Sequence, residues 1–133
     1  MSKEIKNQYD VKVGDIFYLE KNQFTKWFQV VALKGKSQVT IKEIEFEKVG
    51  EDEYKKDLVI PHLNDFTTEC FYIENNNIGA TKTIKKSDDG YLYITFNVFF
   101  NRNPDGTLFQ KMAYYQIAYL WDRQPKVHYI NYY

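Results

Sequence analysis

Two histidines, His62 and His128, and one cysteine, Cys70, are the side chains best suited to holding a metal or carrying a nucleophile. Their spacing matches no zinc pattern, where pairs of ligands sit a few residues apart. Cys70 alternates with Tyr72 in ECFYIE, which suits a buried structural thiol better than a reactive one. The serines Ser2, Ser37 and Ser87 fall in polar or turn settings, so no nucleophile–base triad is apparent. Carboxylates are plentiful, but Glu43, Glu45 and Glu47 alternate along one β-prone run, the pattern of a solvated strand face. There is no glycine-rich phosphate loop. The chain reads as non-enzymatic, with no metal and no cofactor.

Aromatic side chains are the anomaly. They make up 18% of the residues, with twelve Tyr and ten Phe, and they crowd the C-terminal half. Tyr and Trp dominate interface energetics, because a rigid amphipathic ring buries much area at little entropic cost. Basic residues lie among them: Arg102, Lys111, Arg123 and Lys126, with Lys82, Lys85 and Lys86 in a short segment upstream. Rings beside cations can also stack and hold single-stranded nucleic acid. The 18 basic and 18 acidic residues cancel, however, and a dedicated nucleic-acid binder usually carries a basic excess. A protein partner is therefore the first reading, and nucleic acid or a nucleotide the alternative. The acidic stretch Glu43–Asp57 would steer the chain towards a basic partner.

These residues need a scaffold, and the sequence supplies strands. Tyr, Phe, Val, Ile and Thr all favour β structure. Residues 1–10 form a charged, polar lead-in, and 133 residues suit one domain. Gly14-Asp15 makes a turn before a short strand at Ile16–Glu20; FTKWFQVVALK and SQVTIKEIEFE form a hairpin across Lys34-Gly35-Lys36. Val39 and Ile41 share one strand face, whereas Ile44 and Phe46 share the other, which predicts a bulge near Lys42–Glu43. A sharply bent strand after a short one suggests a small barrel of the Src-homology-3 type over residues 11–75. KVGEDEYKKD reads as an exposed tip, LVIP as a strand ended by Pro61, HLNDF as a helical turn or loop, and TECFYIE as a further strand.

Residues 80–133 hold the most legible piece. Asn103-Pro104-Asp105-Gly106 suits a type I turn with a glycine bulge, which joins two long strands. Setting Asn103 opposite Thr107 places Phe99 opposite Lys111, Thr95 opposite Tyr115 and Tyr91 opposite Tyr119. One face then carries Leu92, Ile94, Phe96, Val98, Phe100, Leu108, Met112, Tyr114 and Ala118, and is core. The other carries Tyr91, Tyr93, Phe99, Phe109, Tyr115, Ile117 and Tyr119, with Arg102, Lys111 and Arg123 near its rim: this is the candidate binding face. Phe109, Ala113, Ile117 and Trp121 also fall at helical spacing, so an α+β arrangement competes; the turn and the Tyr content favour strand. Trp121 precedes the turn Asp122-Arg123-Gln124-Pro125 as a core plug, and VHYINYY returns as a last strand. The fold class expected is mainly β, a single antiparallel domain with a small-barrel-like N-terminal half and a long C-terminal hairpin. A hairpin edge or the aromatic face also offers a route to a homo-oligomer.

One cysteine, a charged N-terminus and no long apolar run fit a cytoplasmic protein without membrane contact. The stretches VKVGDIFY, Trp27-Phe28-Gln29-Val30-Val31 and GKSQVTIKEIE, with AYLWDRQP near the end, together resemble a group of small phage and mobile-element proteins of Gram-positive bacteria. That group carries a Trp-Gly-Tyr-Asp-like segment after the first strand and Gly after the late Trp-Asp; here LEKNQFTKW and Arg123 stand instead. The resemblance covers about half the chain and implies no catalytic residue. It implies an accessory protein acting by stoichiometric binding to a host protein, as an inhibitor of a bacterial defence system in the manner of anti-CRISPR proteins.

Overall fold

The computed structural model describes residues 9–21, 24–67, 76–102 and 108–128; of Lys21, Phe24, 97–102 and 108–115 it describes the backbone alone. Among these residues all regular structure is β, and no helix is long and apolar enough to cross a membrane. The strands are β1 (Ile16–Lys21), β2 (Phe24–Lys34), β3 (Gln38–Glu51), β4 (Asp57–Phe66), β5 (Ala80–Thr83), β6 (Lys85–Lys86), β7 (Leu92–Arg102), β8 (Leu108–Leu120) and β9 (Lys126–Val127). They form one antiparallel curled sheet in the order β6-β7-β8-β1-β2-β3-β4-β9, with β5 branching onto β3. Residues 108–120 are strand, which decides between the two periodicities in favour of the hairpin.

The curl involves both halves of the chain. β1 pairs with β2 on one side and with β8 on the other, at Phe17↔Leu120 and Tyr18↔Tyr119. The segment 80–86 then bridges the far sides: β5 pairs with β3, and β6 pairs with β7. Between them Ile84 is buried, and its amide donates to the Ser37 carbonyl at 2.7 Å. Inside the curl lies the main core: Val11, Phe17, Leu19, Phe28, Val30, Val39, Ile41, Ile84, Ile94, Phe96 and Ala118. Phe28 and Phe96, from opposite halves of the sequence, bring their ring centroids to 4.8 Å. Burying two such rings removes several hundred Å² of apolar surface from water, on the order of 5 kcal/mol for the pair.

Gly14 and Gly35 have positive φ at the expected turns before β1 and between β2 and β3, and Gly90 has positive φ at a further turn before β7. The hairpin tip between β3 and β4 is tied by Asp52, whose carboxylate accepts the amides of Tyr54 and Lys56, both at 2.8 Å. Gly79 has no substitute: φ is +82°, and a Cβ there would lie 2.8 Å from Thr40 Cγ2 and 2.9 Å from the Ile41 carbonyl.

Three local expectations are corrected. The bulge near Lys42–Glu43 is absent, since Gln29↔Lys42, Phe28↔Glu43 and Trp27↔Ile44 run in unbroken register. The irregularity lies on β2 instead, between Val30 and Ala32, where the extra Val31 returns Leu33 to the inner face. The phase change in β3 has another cause: Val39 and Ile41 enter the main core, whereas Ile44 and Phe46 join a second cluster on the opposite face with Ile16, Trp27 and Val59. Nor does Pro61 end its strand. β4 runs on to Phe66, with its register to β3 shifting between Phe46↔Pro61 and Ile44↔Phe66, a site that tolerates proline and the left-handed Asn64 (φ 64°). Glu43 is not solvated like Glu45. It is buried, 3.5 Å from Lys26 Nζ and 3.3 Å from the Thr67 hydroxyl. Its amide donates to Asn76 Oδ1 at 2.7 Å, and Asn76 Nδ2 donates back to the carbonyls of Thr67 and Glu43.

The expected hairpin register holds beside the turn, at Arg102↔Leu108 and Asn101↔Phe109. Beyond an irregularity between Phe99 and Asn101 it slips by two, to Phe99↔Ala113, Thr95↔Ile117 and Tyr93↔Tyr119. Side chains alternate with period two, so a slip of two leaves each residue on its expected face. Ile94, Phe96 and Ala118 are indeed inside. The turn 103–107, the strand expected at TECFYIE with Cys70, the polar lead-in through Gln8 and residues 129–133 lie outside the described residues.

Candidate functional site: an aromatic row on the outer face

Directly opposed residues of antiparallel strands share a face. Following the register across the sheet therefore traces one continuous row on its outer side: Lys85, Tyr93, Tyr119, Tyr18, Trp27, Ile44 and Phe66. Six of these seven are large and apolar or aromatic, and each comes from a different strand. The row is the outer counterpart of the buried core.

Its middle is covered. The chain after β8 crosses the row as residues 121–128, starting where the Trp121 amide donates to the Ile16 carbonyl at 2.8 Å. The Trp121 ring stands edge-on to Trp27 at 5.5 Å, and its Nε1 donates to the Gln124 carbonyl at 2.7 Å. Trp121 is thus a half-buried cover on the second cluster rather than a plug of the main core. Lys126 Nζ sits 4.7 Å from the centre of the Tyr18 ring and 3.0 Å from Asp122. Burial raises the Tyr18 pKa, against the lowering effect of Lys126. The hydrogen bonds from Lys126 and from the Gln124 amide hold the Asp122 carboxyl below its ordinary value. Trp27 is fully buried, and its indole N–H finds no hydrogen-bond partner among the described residues.

The end of the row on β7 and β8 is open. Tyr91 is 65% exposed and Tyr119 39%, and Tyr93 is half-buried. The Tyr119 ring meets Tyr91 edge-on at 6.5 Å and Tyr93 at 6.2 Å, so the three make one patch. Three of the candidate rings are brought together here. Of Phe99, Phe109 and Tyr115 the backbone alone is described: Phe99 opposes Ala113, Phe109 opposes Asn101, and Tyr115 opposes Asn97. Arg102 opposes Leu108 and Lys111 lies on β8, again as backbone only. Arg123 is turned towards other partners, with its guanidinium 3.6 Å from Asp15 and 5.6 Å from the Trp121 ring.

The three upstream lysines do not converge. Lys82 covers the core, its Nζ 4.6 Å from the centre of the Phe96 ring, and burial lowers its pKa. Lys85 and Lys86 are exposed on β6; Lys85 lies opposite Tyr93, beside the open patch, and Lys86 opposite Leu92. His62 pairs with Asp65 at 2.9 Å on the surface, and no group of three metal-ligating side chains occurs among the described residues. A cleft of about 280 Å³ opens where β2 and β3 part beyond Trp27↔Ile44, lined by Lys26, Glu43, Glu45, Phe46 and Thr67 among others. Its buried carboxylate is already engaged by Lys26 and Thr67.

Sequence reasoning found the hairpin end of the row and missed its continuation through Tyr18, Trp27 and Phe66. The signal was present: Tyr18 alternates with the core residues Phe17 and Leu19, and Trp27 precedes Phe28. What alternation could not give was the pairing of β8 with β1. Comparison with known protein families, with curated proteins and with solved structures finds no match.

Proposed function

We propose that this protein acts by stoichiometric, non-catalytic binding of a protein partner through the open end of the outer aromatic row, at Tyr91, Tyr93 and Tyr119. The observation that carries this reading is a mutually packed group of tyrosines left exposed on a two-stranded platform whose other face is anchored in the main core. Such rings are already ordered before binding, so little side-chain entropy remains to be lost, and each offers both apolar area and a hydroxyl. The resemblance to small phage and mobile-element proteins extends the proposal to a bacterial host protein in the cytoplasm, with inhibition of a defence system as the consequence; that extension rests on sequence alone. The remaining ring and rim residues of the face, Phe99, Phe109, Tyr115, Arg102 and Lys111, would enlarge the contact along the hairpin.

Lys85 opposite Tyr93 supports a second reading, because a cation beside exposed rings is also how single-stranded nucleic acid is held. One experiment separates the two. Tagged protein is used for capture from lysate of a Gram-positive host, and the eluate is assayed for both protein and nucleic acid. The first reading expects one protein at a fixed ratio, lost from the Y91A/Y119A variant while its thermal melt is unchanged. Nucleic acid released by moderate salt and lost in K85A would establish the second. Capture of a protein that ignores the tyrosine substitutions would overturn the proposed face.

A further inference from the structure

The segment crossing the outer row is held at its far end by a hydrogen bond that only one protonation state of His128 permits. The Thr25 amide donates to His128 Nδ1 at 2.9 Å. A backbone N–H can only donate, so Nδ1 must carry its lone pair, and the imidazole must be neutral with its proton on Nε2. This bond stands where a ladder bond would otherwise be, since β2 and β3 separate after Trp27↔Ile44 and leave Thr25 without a β3 partner. The His128 ring packs on Phe46 at 4.4 Å, and its amide donates to the Asp57 carbonyl at 2.8 Å. Thr25 completes the clasp through its hydroxyl, which donates to the Val127 carbonyl at 2.8 Å. Beside these contacts β9 has the backbone pairs Leu58↔Val127 and Val59↔Lys126, and Lys126 Nζ lies over the Tyr18 ring.

We infer that residues 121–128 form a proton-released strap, docked over Trp27 and Phe46 while His128 is neutral and let go when the imidazole takes a proton. Protonation would turn Nδ1 into a donor facing the Thr25 donor, and would place a charge in a half-buried site, a cost that contact with the Phe46 ring offsets only in part. Among the described residues, the charged groups acting on the imidazole are Lys26 on β2 and Asp57 on β4; β3 presents the uncharged Phe46. Burial lowers the His128 pKa, with Lys26 acting in the same direction and Asp57 opposing it. The undocked histidine binds its proton near its ordinary value of about 6.5, and the docked one only at lower pH. Docking is therefore fully favoured above about 6.5 and weakens as pH falls through that value towards the lower, docked one. Release would uncover Tyr18, Trp27 and Phe46 and lengthen the open aromatic row. The strap and its release do not depend on what binds at Tyr91, Tyr93 and Tyr119.

Of the chain's two tryptophans, Trp121 is carried by the strap and stands edge-on to Trp27 on the sheet, so intrinsic fluorescence reports the strap's position directly. Between about pH 7.5 and about pH 5 the emission should shift to the red in a one-proton transition with its midpoint below about 6.5, while the far-UV circular dichroism of the sheet is retained. H62Q should keep the transition, because His62 lies on the surface with Asp65. H128Q, which offers a neutral acceptor to Thr25, should hold the high-pH emission throughout; H128F, which keeps the ring on Phe46 but loses the acceptor, should also show no transition. A wild-type emission that stays flat would overturn the inference. So would a transition that survives in H128Q and H128F, or one in which the circular dichroism collapses together with the emission.

Discussion

The two faces of this sheet are built from neighbouring residues and yet differ in kind. Inside are Phe17, Phe28 and Phe96 with Val, Leu and Ile; among the fully buried members of that core there is no Tyr and no Trp. Outside, one residue away along the same strands, are Tyr18, Trp27, Tyr93 and Tyr119. A phenol brings a polar atom that needs a partner, so the tyrosines suit a face with one edge in water; Trp27, fully buried under the strap, is the exception. On the inner side Tyr9 packs against the core only as a partly buried residue. The outer face is covered by a strap of eight residues in its middle and by nothing described at its Tyr91 end. The same aromatic richness therefore serves stability on one face and remains available for contact on the other.

If that contrast is right, truncation should discriminate sharply between the faces. F28A and F96A remove rings from a packed interior and should each lower stability by about 3–5 kcal/mol, read from chemical denaturation. An effect below about 1 kcal/mol would mean that the curl does not close around them. W27A tests the covered part of the outer face and should fall lower, at about 2–3 kcal/mol. The ring is large and buried, but its loss also relieves an indole N–H lacking a described partner.

Two polar and backbone devices sharpen the comparison where the faces meet. N76A leaves the buried Glu43 amide without its acceptor and should cost about 1–3 kcal/mol in the same assay. G79A forces a Cβ against Thr40 and Ile41 at positive φ and should cost a similar amount, about 1–3 kcal/mol. Y91A should be the mildest, within about 0.5 kcal/mol of wild type, because the ring is mostly in solvent. A large loss of stability in Y91A would assign the open patch to the core and remove the basis of the proposed interface.

Much of the fold is legible in the sequence because its signals are local. β-branched and aromatic runs specify strands; Gly14, Gly35 and Gly90 specify turns; and strict alternation in LYITF separates Ile94 from Tyr93 and Thr95. The errors share one cause. The phase change in Val39–Phe46 implies a bulge only for a strand with a single buried face, whereas this strand feeds two clusters. Glu43 shares its alternation with Glu45 and Glu47, and nothing local reveals that Asn76 and Thr67 close over it. The two-residue slip in the hairpin was invisible for the opposite reason: it moves no side chain to the other face.

Composition and alternation by themselves determined that this chain is β-rich, that it turns at Gly14 and Gly35, and that Ile94 and Phe96 lie on the opposite face from Tyr93. These properties depend on a residue and its near neighbours, and period two transmits them faithfully. Only the tertiary structure decided that β8 lies beside β1, that the tyrosine face continues through Tyr18 to Trp27, and that His128 reaches back to Thr25. Those pairings join residues about a hundred positions apart in the chain. Closing so long a loop costs entropy that is recovered only when the whole curled core forms, so no local pattern can announce it.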